Sequence, residues 1–148
     1  MASSSWKANK DQLFRGDAES GVALPTPSAP SSIVRHVLYL EGYGRETPYL
    51  SGTESREIAD RFAGADGYVY TGRPKDWVNL GVKHRSRKEL LQLLRGKGKG
   101  DAEWPSAFEV MRARQYVEEW QEHLADFRNM DDIAEDKLRD VTKKAYSK

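Results

Sequence analysis

Cysteine is absent from this chain of 148 residues, and histidine occurs only three times. The absence of cysteine excludes disulfides, cysteine-ligated zinc sites and thiol catalysis. The three histidines, His36, His84 and His123, are too few to suggest a multi-histidine metal site, so we predict that the protein binds no metal.

Long apolar runs are missing as well. No stretch approaches the roughly 18 consecutive apolar residues of a membrane-spanning helix, and the polar residues 1–10 lack the apolar core of a signal peptide. A hydrophobic fraction of 38% is typical of a small protein with charged helices. We therefore predict a soluble protein with no membrane partner, either cytoplasmic or delivered into a target cell by a specialised secretion route.

Positive charge is concentrated in one segment, although the net charge of the chain is only +1. Residues 83–99 contain seven lysines and arginines and a single acid, Glu89, whereas residues 118–140 are mostly acidic. Clustered cations contact phosphate, so one alternative function is a small RNA-binding or RNase-like toxin that uses His36 or His84 in acid–base chemistry. Another is a non-catalytic interaction module whose charged C-terminal helices pair with a partner.

Hydrophobic periodicity and turn residues predict strands mainly in the first half of the chain and helices mainly in the second. The predicted strands cover residues 12–17, 32–41, 49–51, 68–70 and 77–82. The predicted helices cover residues 53–63, 86–95, 105–128 and 132–146. This order predicts an α+β fold, with one catalytic-type domain at residues 1–128 that begins with a flexible arm at 1–12. A C-terminal helix at 129–148 then docks or projects.

Two short motifs place polar side chains where strands end. In LFRGD, Arg15 stands at a strand end beside Gly16, where an arginine can face a cleft. In YLSGT, the hydroxyls of Ser51 and Thr53 lie between a strand and the helix that Thr53 is predicted to cap. We therefore predict the chemistry of the protein at this hydroxyl-rich corner.

Together with the helix ESREIADRFAG and the strand DGYVYTG that follow, these motifs resemble the mono-ADP-ribosyltransferase toxin family, in its cholera- and pertussis-like branch. The resemblance covers about residues 13–80. It implies a small mixed or antiparallel sheet core of ADP-ribosyltransferase type, followed by a long helical region. It also implies a toxin that takes NAD as its substrate and cleaves the nicotinamide–ribose bond. The expected partners are a macromolecular acceptor, protein or nucleic acid, and a cognate immunity protein.

The resemblance further implies a role for each matched side chain. Arg15 would pair with the pyrophosphate of NAD, while Ser51 and Thr53 would brace a catalytic acid. Tyr49 or Tyr68 would stack on the nicotinamide. The motif departs from the family at Gly52, which stands where the family has a hydroxyl side chain.

Two glutamates are candidates for the catalytic acid. Glu103 ends the segment DAE, which has the spacing of the family's paired acids and lies in a predicted loop. Glu109 precedes Val110, as in the family's Glu-Val strand, but it falls inside the predicted helix 105–128. Helical periodicity favours Glu103, and Glu109 stays the alternative.

Overall fold

The computed structural model describes residues 6–7, 10–17, 21–38 and 46–148. Its strands are β1 (Leu13–Asp17), β2 (Tyr49–Thr53), β3 (Tyr68–Gly72), β4 (Lys83–Arg85) and β5 (Glu122–Asp126). They form one sheet in the order β3-β1-β2-β5-β4, and each neighbouring pair is antiparallel. The prediction of an α+β fold with an antiparallel sheet is confirmed.

Six α-helices surround the sheet in the described part of the chain. They are α1 (Ile33–Leu38), α2 (Arg56–Ala63), α3 (Pro74–Leu80), α4 (Arg87–Leu93), α5 (Ala107–Glu119) and α6 (Glu135–Ala145). Short 3-10 helices lie at Gly100–Ala102 and Arg128–Met130. The neighbouring strands β2 and β5 are the most buried ones, whereas β3 and β4 at the edges of the sheet keep exposed residues.

Each face of the sheet has its own hydrophobic core, because successive strand residues point to opposite sides. On the first face, Tyr49 and Leu124 pack against residues of α1, α4 and α5. On the second face, Leu50 and Ala125 pack with residues of α3 and α6. The residues Ser51 and Thr53 of β2 therefore belong to the first face.

The C-terminal helix α6 docks on the second face. The indole Nε1 of Trp77 donates a hydrogen bond of 3.0 Å to the carbonyl of Ala145, and both side chains are buried. Just beyond the helix, the backbone of Ser147 pairs with Thr71 at the outer edge of β3. The end of the chain thus covers part of a sheet edge that would otherwise be open.

The predicted capping residue begins α4 but not α2. The Ser86 hydroxyl accepts a hydrogen bond of 3.1 Å from the amide of Glu89 and begins α4 as predicted. Helix α2 is capped by Ser55 rather than by Thr53. Thr53 stays in β2, where it pairs with Glu122 and its hydroxyl donates to the carbonyl of Trp120 at 2.6 Å.

Two predicted strands are helices. Within residues 32–41, Ile33–Leu38 forms α1, because Ile33, Val34 and Val37 bury one helical face; residues 39–41 lie outside the described residues. Within 77–82, the chain forms the end of α3, and tertiary packing outweighs strand propensity at both places.

The long predicted helix at residues 105–128 is also wrong. Helix α5 ends at Glu119, the backbone turns at Gln121 with a φ of 49°, and the chain continues as β5. Leu124 continues the spacing of the apolar residues in α5, but it is buried as part of the sheet. Because the predicted helix includes the residues of β5, the prediction lacks a strand that pairs with β2 over its whole length.

Candidate functional site

A cavity lies where β1 separates from β2. The two strands pair at one position, Phe14 with Thr53, whereas β1 pairs with β3 along its full length. Beyond that position the guanidinium of Arg15 spans the opening, and its Nη1 donates to the carbonyl oxygen of Ser51 at 2.9 Å. The cavity beside this opening has a volume of about 290 Å³.

Helix α2 forms one side of the cavity by packing directly on β1. A Cβ atom at Gly16 would stand 1.9 Å from the carbonyl oxygen of Ala59, so only glycine permits this approach. Ala59 and Phe62 of α2 both line the cavity. A helix that is held this close to the strand fixes the distance between its side chains and Arg15.

Glu122 is the buried acid of the cavity. Its side chain accepts a hydrogen bond of 2.5 Å at Oε2 from the hydroxyl of Ser51, and only 3% of the residue is exposed. The other oxygen, Oε1, has no hydrogen-bond partner among the described residues. A buried carboxylate oxygen without a partner is energetically costly, so a donor or a positive charge brought next to it would stabilise it.

Burial raises the pKa of Glu122 to about 7, while the Ser51 hydrogen bond and the charge of Arg15 act in the opposite direction. The desolvation of the carboxylate is therefore the larger effect. At neutral pH the empty site holds a mixture of protonated and ionised Glu122. A cationic ligand would shift this mixture toward the ionised form.

His36 of α1 forms a hydrogen bond with the side chain of Ser51. Its Nε2 lies 2.7 Å from the Ser51 hydroxyl, and its Nδ1 lies 2.8 Å from the hydroxyl of Thr47. When Glu122 is ionised, the single Ser51 proton points to it, so the Ser51 oxygen accepts from Nε2–H of the histidine. Burial and, to a smaller extent, Arg15 and Arg35 lower the pKa of His36 to about 3, which keeps the imidazole neutral.

The chain of donors therefore runs in one direction, from Thr47 through His36 and Ser51 to Glu122. Each hydroxyl and each ring nitrogen in it has a defined role, which fixes the rotamer of the carboxylate. The arrangement orients an acid without transferring its proton to a base. The network therefore fixes the orientation of the Glu122 carboxylate and of its unpaired oxygen.

Arg15 supplies the positive charge of the cavity. Its Nε and Nη2 donate to the carboxylate of Asp17 at 2.8 and 3.1 Å, and its Nη1 donates to the Ser51 carbonyl. Three of the five N–H groups of the guanidinium are thus in use, so two can bind oxygen atoms of a ligand. Arg15 connects the two separated strands and still offers donors to the cavity.

Aromatic side chains form the apolar part of the wall. Phe62 and Trp120 meet edge to face with ring centroids 5.4 Å apart, and Phe14 also lines the cavity. Phe62 is 54% exposed, which places this pair at the mouth. Such rings can stack on a flat ligand or attract a cation through their faces.

Of the residues predicted for the site, Arg15, Ser51 and Thr53 all line the cavity. Tyr49 does not, because it is fully buried in the first core and its hydroxyl donates to the carbonyl of Ser31. Tyr68 lies on the edge strand β3 with the ammonium of Lys148 3.7 Å above its ring, and it also does not line the cavity. Phe62 and Trp120 are the aromatic residues found where the predicted tyrosine was expected.

Neither of the predicted acids lines the cavity. Glu103 is exposed directly after the 3-10 helix Gly100–Ala102. Glu109 lies in the first turn of α5, where its Oε1 accepts a hydrogen bond of 2.6 Å from the indole of Trp104. Glu122 was not among the predicted residues, because EHLAD shows no alternation of apolar and polar residues that would mark it as a strand.

The basic segment 83–99 is partly used inside the fold. Arg85 is buried and forms ion pairs with Glu89, Asp101 and Asp126. The carboxylate of Glu54 accepts from Arg87.

The two histidines proposed for acid–base chemistry both form hydrogen bonds within the fold. His84 is bonded to His123 at 2.9 Å, and His36 lies behind Ser51. The ion pairs of Arg85 and Arg87 account for two of the seven cations of the segment.

Clusters of metal ligands and membrane-spanning helices are both absent from the described ranges. No group of three or more histidine and acidic side chains there could hold a metal ion. No helix among those residues has the length and apolar character needed to cross a membrane.

Glu122 and His36 give the stability of the protein opposite pH dependences. The pKa of Glu122 is raised from 4.5 to about 7, so the folded protein retains a proton in this range that the unfolded chain has released. The free energy of unfolding therefore falls as pH rises through it. The pKa of His36 is lowered from 6.5 to about 3, so in that range only the unfolded chain binds the proton and stability rises with pH.

We expect Glu122→Gln to remove the first effect and to leave the second. Between about pH 6.5 and 5, the stability of the variant should fall more steeply than that of the wild type, by up to about 1.4 kcal/mol per pH unit for one proton. Urea unfolding at half-unit steps of pH measures this difference. Parallel curves for the two proteins would contradict the raised pKa of Glu122.

Comparison of the chain with models of protein families, with curated proteins and with solved structures found no match. The function is therefore inferred from the geometry of the cavity and from the chemistry of the residues that line it.

Proposed function

We propose that this protein is an NAD-dependent ADP-ribosyltransferase that cleaves the nicotinamide–ribose bond in the cavity between β1 and β2. The observation that carries the proposal is the meeting of Arg15, Ser51 and buried Glu122, from three neighbouring strands, around one cavity. Arg15 and Ser51 are the residues that the family resemblance selects. Glu122 takes the role of the catalytic acid, which the sequence predicted for Glu103 or Glu109.

The reaction requires stabilisation of positive charge on the ribose. When the bond between C1′ and the nicotinamide nitrogen breaks, its electron pair leaves with nicotinamide and C1′ gains oxocarbenium character. A carboxylate beside the ribose stabilises that charge, as in glycoside cleavage, and its free oxygen can hold the 2′-hydroxyl. Glu122 lines the cavity, and its buried Oε1 has no hydrogen-bond partner among the described residues. The acceptor's nucleophile then bonds to C1′ and releases its proton.

The charges of the site suit the substrate. The nicotinamide ring of NAD is a cation before cleavage and neutral afterwards, so a carboxylate and aromatic walls favour its binding. Phe62 and Trp120 can contact the ring, and the two unused N–H groups of Arg15 can bind pyrophosphate oxygens. About 290 Å³ is at the low end for small-molecule sites, which suits the nicotinamide ribose with the rest of NAD at the mouth.

Transfer of label from NAD tests the proposal. Purified protein incubated with adenylate-labelled NAD and a cell lysate should release nicotinamide and label macromolecules. Arg15→Lys should lower both rates about tenfold or more, because lysine cannot make the same forked contacts. Arg139→Lys, at an exposed arginine of α6, is the matched control and should change neither.

Intact NAD and an unlabelled lysate would overturn the proposal. The prediction of a toxin is tested separately by expression in cells. The wild type should slow growth, and Glu122→Gln should relieve that effect if the NAD chemistry causes it.

A further inference from the structure

An aromatic strip follows one side of α5, exposed at its outer end and half-buried at Tyr116 and Trp120. Phe108, Arg112 and Tyr116 are spaced by four residues and so share a helical face, and Trp120 caps the helix on the same side. Tyr116 stacks on Trp120 with ring centroids 4.6 Å apart and planes within 13°. The Arg112 guanidinium lies 5.5 Å from the Tyr116 ring centre and donates to its hydroxyl at 2.7 Å.

The strip leads into the cavity. Its last member, Trp120, contacts Phe62, and both rings line the cavity mouth. At 1.5 Å per residue, the strip extends about 18 Å from Phe108 to Trp120. Phe108 at its outer end is 62% exposed. Single exposed apolar residues are common, but here ring and guanidinium contacts lead from Arg112 through Tyr116 and Trp120 to the cavity mouth, which indicates a binding surface.

We propose that this strip, Phe108–Arg112–Tyr116–Trp120, docks the protein whose side chain receives ADP-ribose. The inference rests on the proposed function, because it identifies the class of acceptor for the same site. Aromatic residues and arginine are the residue types that dominate binding energy at protein interfaces. A partner seated here would present a neighbouring side chain to the cavity that holds Glu122.

The strip favours a protein over a nucleic acid. Bases stack on exposed aromatic faces, but the half-buried ring of Tyr116 already contacts both Trp120 and Arg112. The exposed Glu119 follows Tyr116 by three residues on the same side and would repel phosphate. The partner we expect has an apolar side chain to contact Phe108 and an acidic side chain for the remaining N–H groups of Arg112.

The test uses a double variant at the outer end of the strip, away from the cavity. Phe108→Ser with Arg112→Glu changes two exposed residues, so folding should be retained. The matched control is Val78→Ser with Arg139→Glu, which changes an exposed apolar residue and an exposed arginine on the second face. Each protein is assayed for labelling of lysate proteins and for hydrolysis of NAD by water.

We expect the strip variant to label lysate proteins about 30-fold less than the wild type or the control, a loss typical of hot-spot contacts. Hydrolysis of NAD by water should stay within about twofold, because the cavity is unchanged. Undiminished protein labelling would overturn the docking surface, as would an equal loss of hydrolysis and labelling. Label on material that nuclease removes would show a nucleic-acid acceptor instead. A wild type that cleaves no NAD would overturn the proposed function itself.

Discussion

Glu122→Gln is expected to lower the rate of nicotinamide release from NAD by about 10³-fold, the size of effect that follows when a preorganised charge-stabilising group is lost. The amide has nearly the same shape as the carboxylate and can still accept from the Ser51 hydroxyl. It cannot neutralise positive charge on the ribose. The variant should remain folded, because removing a buried carboxylate with a pKa of about 7 does not leave an unpaired ion.

The matched controls are Glu103→Gln and Glu109→Gln. Both make the same chemical change at acids that do not line the cavity, so both should keep the wild-type rate within about twofold. Nicotinamide release is measured by chromatography under saturating NAD for all four proteins. Wild-type activity in Glu122→Gln, or a large loss in either control, would show that the acid has been assigned to the wrong residue.

Asp126→Ala is expected to lower the free energy of unfolding by about 3–5 kcal/mol, the usual cost of breaking a buried ion pair from one side. The Asp126 carboxylate accepts from Arg128 at 2.7 Å and from Arg85 at 3.3 Å. The side chains of Asp126 and Arg85 are only 3% and 5% exposed. Without Asp126, the buried charge of Arg85 depends on Glu89 and Asp101 alone, and both of these are more exposed.

Glu135→Ala provides the comparison, because it breaks the exposed pair with Arg139 at 3.2 Å. Exposed pairs contribute about 0–1 kcal/mol, so this variant should unfold close to the wild type. Urea titrations of the three proteins give the free energies, with unchanged slopes as a check on two-state unfolding. A loss below about 1 kcal/mol for Asp126→Ala would mean that the network does not hold β5 in place.

Local signals predicted those parts of the fold that local forces determine. The helices predicted at 53–63, 86–95 and 132–146 and the strands predicted at 12–17 and 68–70 all correspond to observed elements. Propensity failed where packing decides the structure. The apolar residues of α1 suit a strand by type, yet as a helix they fill the first core.

The candidate site could be predicted only in part, because its residues come from distant parts of the chain. Arg15 and Ser51 stand out through short motifs with turn residues beside them. Glu122 meets Ser51 only through the register of β5 on β2, in which Ser51 opposes Leu124 and Thr53 opposes Glu122. That register cannot be predicted from local periodicity. The apolar residues of α5 and β5 together have the spacing of one long amphipathic helix.

His36 shows a further limit of local sequence patterns. As part of a predicted strand it had no assigned partner, whereas on α1 its two ring nitrogens bind Thr47 and Ser51. The helix brings the ring to the strand end from the first face of the sheet. A buried polar ring with two satisfied nitrogens indicates a fixed hydrogen-bond network, and this becomes visible only once the helix is placed.

The most direct test of the central claim is the crystal structure of Glu122→Gln with NAD, since the slow variant should trap the uncleaved substrate. The account predicts NAD in the cavity between β1 and β2, with the nicotinamide ribose within hydrogen-bond distance of the amide at position 122. The nicotinamide ring should lie against Phe62 or Trp120, and the pyrophosphate should lie near Arg15. NAD bound elsewhere on the protein, or an empty cavity at saturating NAD, would contradict it.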